Sequence, residues 1–308
     1  MPLLKDPHDL RIRNLIVKDS SEVTIVGVPF DGAVAGRPGA RFAPEVIRNF
    51  LYSYTPICYG VDLRNLAIGD VGDIDIDRES IENTWKSIGN SIFELLNKCE
   101  RLIILGGDHS ITFPAVKAFE RKFGKIGLIY IDAHLDLREL PAGQLSSGIT
   151  VHKILQECKI NPENIVYIGV REWVNAPYYL DKAKKLGITV FTTDITADRI
   201  DEITQQAYNI ASFNTNAVYI SFDVDVLDVA FGPGVNATSS GGLTPREVFR
   251  MMRILGNQPK VIAIDFVELC PPYDVANVTA QIVATSILYF LAGYSKLKEL
   301  RETTQHKT

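Results

Sequence analysis

Six side chains of two types, spread over three short segments, carry the chemistry legible in this sequence. His109 closes the run Gly106-Gly107-Asp108-His109, Asp132, His134 and Asp136 take alternate positions of a second run, and Asp223 and Asp225 do so in a third. Each follows an apolar run, at residues 102–105, 126–131 and 217–220. In an extended strand, residues two apart point to the same face. Asp132, His134 and, if the extension continues, Asp136 should therefore project together, as should Asp223 and Asp225. Carboxylates grouped at strand ends call for neutralisation, because like charges taken from water repel one another. Divalent cations would provide it. An Asp-x-Asp pair alone is a weak signal, but the three segments together are a strong one.

The donor types narrow the ion. A carboxylate-rich, thiolate-free set with two imidazoles suits Mn2+ over zinc or copper. Six ligands are too many for one tetrahedral centre, so two ions per chain sharing carboxylates are expected. Their task would be to hold a water and lower its pKa for attack on an electrophilic carbon. Only five histidines occur; His8 and His306 lie near the ends, leaving His109, His134 and His152.

These segments need a scaffold that brings strand ends together. Eight apolar runs read as strands, at residues 23–30, 66–68, 102–105, 125–131, 165–170, 188–191, 217–222 and 261–266. They are continuous more than alternating, as strands covered on both faces should be. Residues 79–99 carry a helical apolar stripe, residues 279–300 read as a long C-terminal helix, and Thr244-Pro245-Arg246-Glu247 reads as a capping box launching another. Strands alternating with helices imply an α/β fold, a three-layer α/β/α sandwich around a mostly parallel eight-stranded sheet. No repeat or linker divides residues 1–308, so one domain is expected. In such sheets ligands gather beyond the carboxyl ends of the strands, where all six side chains fall, with Glu268 at the end of the last strand.

Composition bounds the partners. The formal charge is −5 with no basic cluster, which argues against nucleic acid or an anionic membrane surface. Cys58, Cys99, Cys158 and Cys270 form no CxxC pair, which speaks against a cysteine zinc site or a disulfide framework. No signal-peptide pattern and no stretch approaching a membrane span is read. A soluble, cytoplasmic protein acting on a small molecule is expected.

The motifs resemble those of the ureohydrolases, the arginase and agmatinase superfamily, over almost the whole length. The matching strings are residues 37–48, 106–109, 132–138, 221–228 and 267–274. The resemblance implies a dinuclear manganese hydrolase of the arginase fold, with one ion on His109, Asp132, Asp136 and Asp223 and the other on Asp132, His134, Asp223 and Asp225. Asp132 and Asp223 would bridge. Asp136 would act in catalysis as well as ligation, and Glu268 would pair with the guanidinium or amidine of the substrate. Trimers or hexamers are implied. Within residues 37–48, Arg37 and Arg41 are read as buttresses or subunit contacts and not as catalytic groups.

One departure bears on the substrate. Where most arginases and agmatinases carry a histidine, this chain has Ser147, which can hydrogen-bond but cannot do acid–base work near neutral pH. A serine there resembles the formimidoylglutamases, as does the 231–237 loop, which adds Asn236 to the expected substrate contacts with Ser147 and Glu268. The Pro271-Pro272-Tyr273-Asp274 tail looks like agmatinase. The larger share of motifs makes agmatine, cleaved to putrescine and urea, the first expectation and N-formimino-glutamate, cleaved to glutamate and formamide, the second. A non-catalytic regulatory homologue is a third, and a single-zinc deacetylase is excluded by the lack of paired histidines. His152, five residues after Ser147, is read as a helix-surface residue. Arg138 and Arg171, just past strand ends, are the basic candidates for an acidic substrate tail.

Overall fold

The computed structural model describes residues 6, 8–17, 21–77, 79–141 and 143–305; His306 lies outside them. The strands are β1 (Ile16–Val17), β2 (Val23–Gly27), β3 (Ile57–Cys58), β4 (Val61–Asp62), β5 (Ile68–Asp73), β6 (Arg101–Leu105), β7 (Ile126–Ile131), β8 (Ile165–Val170), β9 (Thr189–Thr192), β10 (Ala217–Asp223) and β11 (Val261–Val267). Nine form one sheet in the order β1-β5-β2-β6-β11-β10-β7-β8-β9, and every neighbouring pair is parallel. β3 and β4 make a separate antiparallel hairpin. The ninth strand is the two-residue edge strand β1, too short to show a period. β5 also differs from its expected span: it runs on through Asp70 to Asp73, whose carboxylates pair with Arg48 and so need no apolar face.

The helices are α1 (Ala43–Leu51), α2 (Ile81–Leu96), α3 (Thr112–Phe123), α4 (Thr150–Glu157), α5 (Pro177–Lys185), α6 (Thr193–Ala197), α7 (Ile200–Ser212), α8 (Pro245–Gly256) and α9 (Val278–Gln305). They cover both faces. Ile103 and Leu105 of β6, Ile129 and Ile131 of β7, and Ile220 and Phe222 of β10 pack toward α1, α7, α8 and α9. Leu102, Ile104, Leu128, Tyr130 and Tyr219, their alternates, pack toward α2, α3, α4 and α5. Two apolar layers, one on each face, explain why the strands read as unbroken apolar runs. α8 begins as expected, with Thr244 accepting from the Glu247 N–H and Glu247 accepting from the Thr244 N–H. α9 is long and apolar enough to pass for a membrane span by composition, contrary to the expectation that no stretch comes near one. Its Ala280, Val283, Ile287, Phe290 and Leu291 are instead buried in the core.

Candidate metal centre and its cleft

The four central strands β6, β11, β10 and β7 lie side by side, and their carboxyl ends deliver His109, Glu268, the Asp223–Asp225 pair and the Asp132–Asp136 group to one place. Three of these runs are buried beneath helices on both faces, so their ends are held with little freedom. Gly107 permits the approach: a Cβ there would collide with the carbonyl of Phe30, to which Asp108 donates its N–H at 2.8 Å.

Convergence is achieved differently from the strand alternation expected. β7 stops at Ile131, and Asp225 sits in a short 3-10 turn (Val224–Val226). Asp132 bends the chain by accepting the His134 N–H at 2.5 Å, and Asp223 does the same with the Asp225 N–H at 2.8 Å. Such turns are a habit of aspartate, whose short carboxylate reaches the backbone two residues on. One oxygen of each aspartate closes its turn and the other faces the centre. Asp136 and Glu268 take left-handed backbone angles, φ 47° and 67°. Non-glycine residues in such regions cost about 1–3 kcal/mol each, and here both strained residues point into the cleft.

His109 Nδ1 lies 2.9 Å from Asp223, 3.1 Å from Asp132 and 3.3 Å from Asp136. His134 Nδ1 lies 2.8 Å from Asp225 and 3.5 Å from Asp132. Burial, and then the neighbouring carboxylates of Asp225 and Asp132, push the Asp223 pKa far above the usual range. Burial with the Asp132 charge lifts Asp136 to about 7. Asp132 is held at about 2 despite its burial, because both histidines face it. The His134 ring loses solvation, yet Asp225 and Asp132 raise it to about 12. Glu268 is raised well above a normal glutamate by burial, by Asp223 and by Asp108.

These residues fit a metal pair. His109, Asp132 and Asp223 present ligand atoms within 4.8 Å of one another, and so do Asp132, His134 and Asp225. Asp132 is common to both groups. His109 Nδ1, Asp132 Oδ2 and Glu268 Oε2 are buried without a hydrogen bond, a state that costs about 1–3 kcal/mol per group unless something else satisfies it.

Above the centre opens a cleft of about 260 Å³ lined by Asp136, Arg138, Ser147, Asn175, Tyr179, Asn236 and Glu268, among others. Ser147 is buried; its Oγ accepts the Ala35 N–H at 3.1 Å, leaving its own hydrogen for the cleft. Asn236 also lines the cleft. Glu268 Oε1 accepts the His109 N–H at 2.7 Å and Oε2 is the orphan. Arg138 is exposed at the rim, and its guanidinium makes no ion pair or hydrogen bond with any described residue. Arg171 is otherwise: wholly buried, it donates to the carbonyls of Asp225, Val226 and Leu227 at 2.7–2.8 Å. It does not line the cleft, and its Nη1 and Nη2 donors are spent on Ser239 and on the turn that holds Asp225. His152 lies on α4 with Nδ1 3.3 Å from Lys182 and does not line the cleft. Arg37 buttresses the 231–237 loop, donating to the Val235 carbonyl at 2.5 Å and stacking over Tyr273. Tyr130 and Asn175 were not singled out from the sequence. The Tyr130 hydroxyl donates to Asp136 at 2.7 Å, and Asn175 ties Leu135 to Ala133 and Arg171. Neither carries a local motif: Tyr130 meets Asp136 only through the turn after β7, and Asn175 reaches Ala133 and Leu135 some 40 residues away.

Residues 21–293 match the Arginase family. The formimidoylglutamase of Halalkalibacterium halodurans is 34% identical over 274 residues, covering 87% of this chain and 86% of the relative. The agmatinase of Neisseria meningitidis serogroup C is also 34% identical, over 277 residues, covering 87% and 85%. The crystal structure of formimidoylglutamase from Bacillus subtilis superposes with a TM-score of 0.90 at 28% identity, covering 95% of this chain and 94% of that one. The chain belongs to the arginase family. Within it, the protein is an amidinohydrolase, an enzyme acting on C–N bonds of amidino compounds.

Proposed function

We propose that this chain is a dinuclear manganese hydrolase whose substrate is a linear amidine with a carboxylate-bearing tail, N-formimino-glutamate before agmatine. The observation that carries this reading is the rim: among the described residues Arg138 stands there as an unpartnered cation, and the only carboxylates lining the cleft are those of its floor. Agmatine ends in an ammonium and would find no counter-charge at that rim, whereas a glutamate tail would. Ser147 supports the same order, because a site working with serine in the histidine's place has dispensed with an imidazole acid.

His109, Asp132, Asp136 and Asp223 would hold one ion, and Asp132, His134, Asp223 and Asp225 the other; the oxygen-rich set suits manganese. When bound, the ions lower the pKa of a water toward neutrality and so supply the nucleophile. Glu268 Oε2 pairs with the amidine N–H groups and orients the carbon toward the floor. Ser147 donates its free hydrogen to the substrate, and Asn236 adds a polar contact to it. Asp136, which lines the cleft beside the floor carboxylates, takes the proton of the attacking water and returns it to the departing nitrogen as the C–N bond breaks. A product assay distinguishing formamide from urea, run on N-formimino-glutamate, guanidino acids and agmatine, tests the reading. Turnover of agmatine with indifference to every carboxylate-tailed substrate would defeat it.

A further inference from the structure

Beneath the metal-facing residues lies a carboxylate that none of the chemistry above uses. Asp265 of β11 is wholly buried, and no lysine or arginine pairs with it among the described residues. A buried, unpaired carboxylate is costly unless hydrogen-bonded. Four donors converge on it. The Ser221 hydroxyl donates to Oδ1 at 2.7 Å and the Phe222 N–H does so at 3.3 Å; the Tyr219 and Thr112 hydroxyls each donate to Oδ2 at 2.7 Å. Asp265 is the register partner of Ser221 across the β10–β11 pair, which brings the two side chains together.

Counting hydrogens then fixes the state of His109. Each hydroxyl has one hydrogen, and those of Ser221, Thr112 and Tyr219 are all spent on Asp265. Ser221 Oγ also lies 2.8 Å from His109 Nε2. With its hydrogen given to an ionised Asp265, Ser221 accepts there and Nε2 carries the proton. Nδ1, the atom facing Asp132, Asp136 and Asp223, is thereby left with a free lone pair once the ring is neutral. Tyr130 stacks flat on the same ring, with centroids 4.5 Å apart and planes within 2°, so the ring is held in plane as well as in tautomer.

We infer that Asp265, acting through Ser221, is a positioning residue that sets the tautomer and orientation of His109 for metal binding. It touches neither ion nor substrate. The inference rests on the dinuclear reading of the site. Outer partners of this kind typically change metal affinity by about 10–100-fold when removed.

The experiment is calorimetric titration of metal-stripped protein with Mn2+, with electron paramagnetic resonance at each stoichiometry. Wild type should bind two ions and give the spectrum of a spin-coupled pair. Ser221→Ala, which is close to isosteric, and Asp265→Asn should each lose about 10–100-fold in affinity for one of the two ions. At limiting metal they should show the six-line signal of isolated Mn2+. Tyr219→Phe removes a donor from the far oxygen of Asp265 without a hydrogen bond to Ser221 or His109 being lost, and should bind both ions within about twofold of wild type. Wild-type affinity for both ions in either Ser221→Ala or Asp265→Asn would overturn the inference, as would an equal loss in Tyr219→Phe, which would make the network a matter of packing. A wild-type protein that binds no Mn2+ would overturn the dinuclear reading and this inference together.

Discussion

The floor and the rim of the cleft are built by different means. The floor comes from the ends of four adjacent buried strands, and its side chains are held by turns, a stacked tyrosine and a network ending at Asp265. The rim comes from loops, where the side chains of exposed Arg138 and buried Asn236 make no hydrogen bond to another described residue. A preorganised floor suits chemistry shared across a family, since positioning errors near the reacting atoms are expensive. A loosely tethered rim suits selection among substrate tails, because it can be altered without disturbing the sheet. The floor gives the reaction class, and the rim chooses the molecule.

That division can be broken from the floor outward. Asp223→Asn should have the largest effect, lowering the manganese content below two per chain and activity by orders of magnitude, because a neutral amide is a poor substitute for a shared carboxylate. Metal analysis showing full occupancy with normal turnover would sink the dinuclear assignment. Next comes Glu268→Gln. Removing one partner of a desolvated charged pair typically costs about 2–5 kcal/mol, so kcat/KM should fall at least thirtyfold while both ions stay. A loss below tenfold, ~1.4 kcal/mol, would reduce Glu268 to a support for the His109 backbone.

The rim should answer more gently and more selectively. Arg138→Gln is expected to raise KM for N-formimino-glutamate about tenfold, ~1.4 kcal/mol, with kcat and metal content little changed and no penalty on agmatine. Equal losses on both substrates would show that Arg138 reads no tail. Smallest of all should be Ser147→His on N-formimino-glutamate, where kcat is not expected to rise, since the reaction proceeds without an imidazole. A gain on agmatine within the 10²–10⁴-fold span of acid–base catalysis would mark the pocket as an agmatinase site with a lost proton donor, and would collapse the distinction between a shared floor and a selective rim.

The sequence by itself determined the layer order and singled out the candidate ligands that the fold brings together. Asp132, His134, Asp136, Asp223, Asp225 and His109 stand out because aspartate and histidine at strand ends have little structural business there, and unbroken apolar runs betray strands covered on both faces. Capping at Thr244 was equally local and equally legible. The two-residue strand β1 was not, because two residues have no period. Nor was the way the ligands converge: the expected alternation gave way to aspartate-closed turns, a choice made by one hydrogen bond in each turn. Only the tertiary structure separated Arg138 from Arg171. Both follow strand ends, yet one is left free at the rim while the other is buried against three carbonyls of a turn about 54 residues away. The same holds for Asp265, brought to Ser221 by the pairing of β10 with β11, and for Tyr130, brought onto His109 by the folding of the sheet. Residue type and spacing announce chemistry done by neighbours in the chain; whether a group is satisfied or left free depends on partners that only folding supplies.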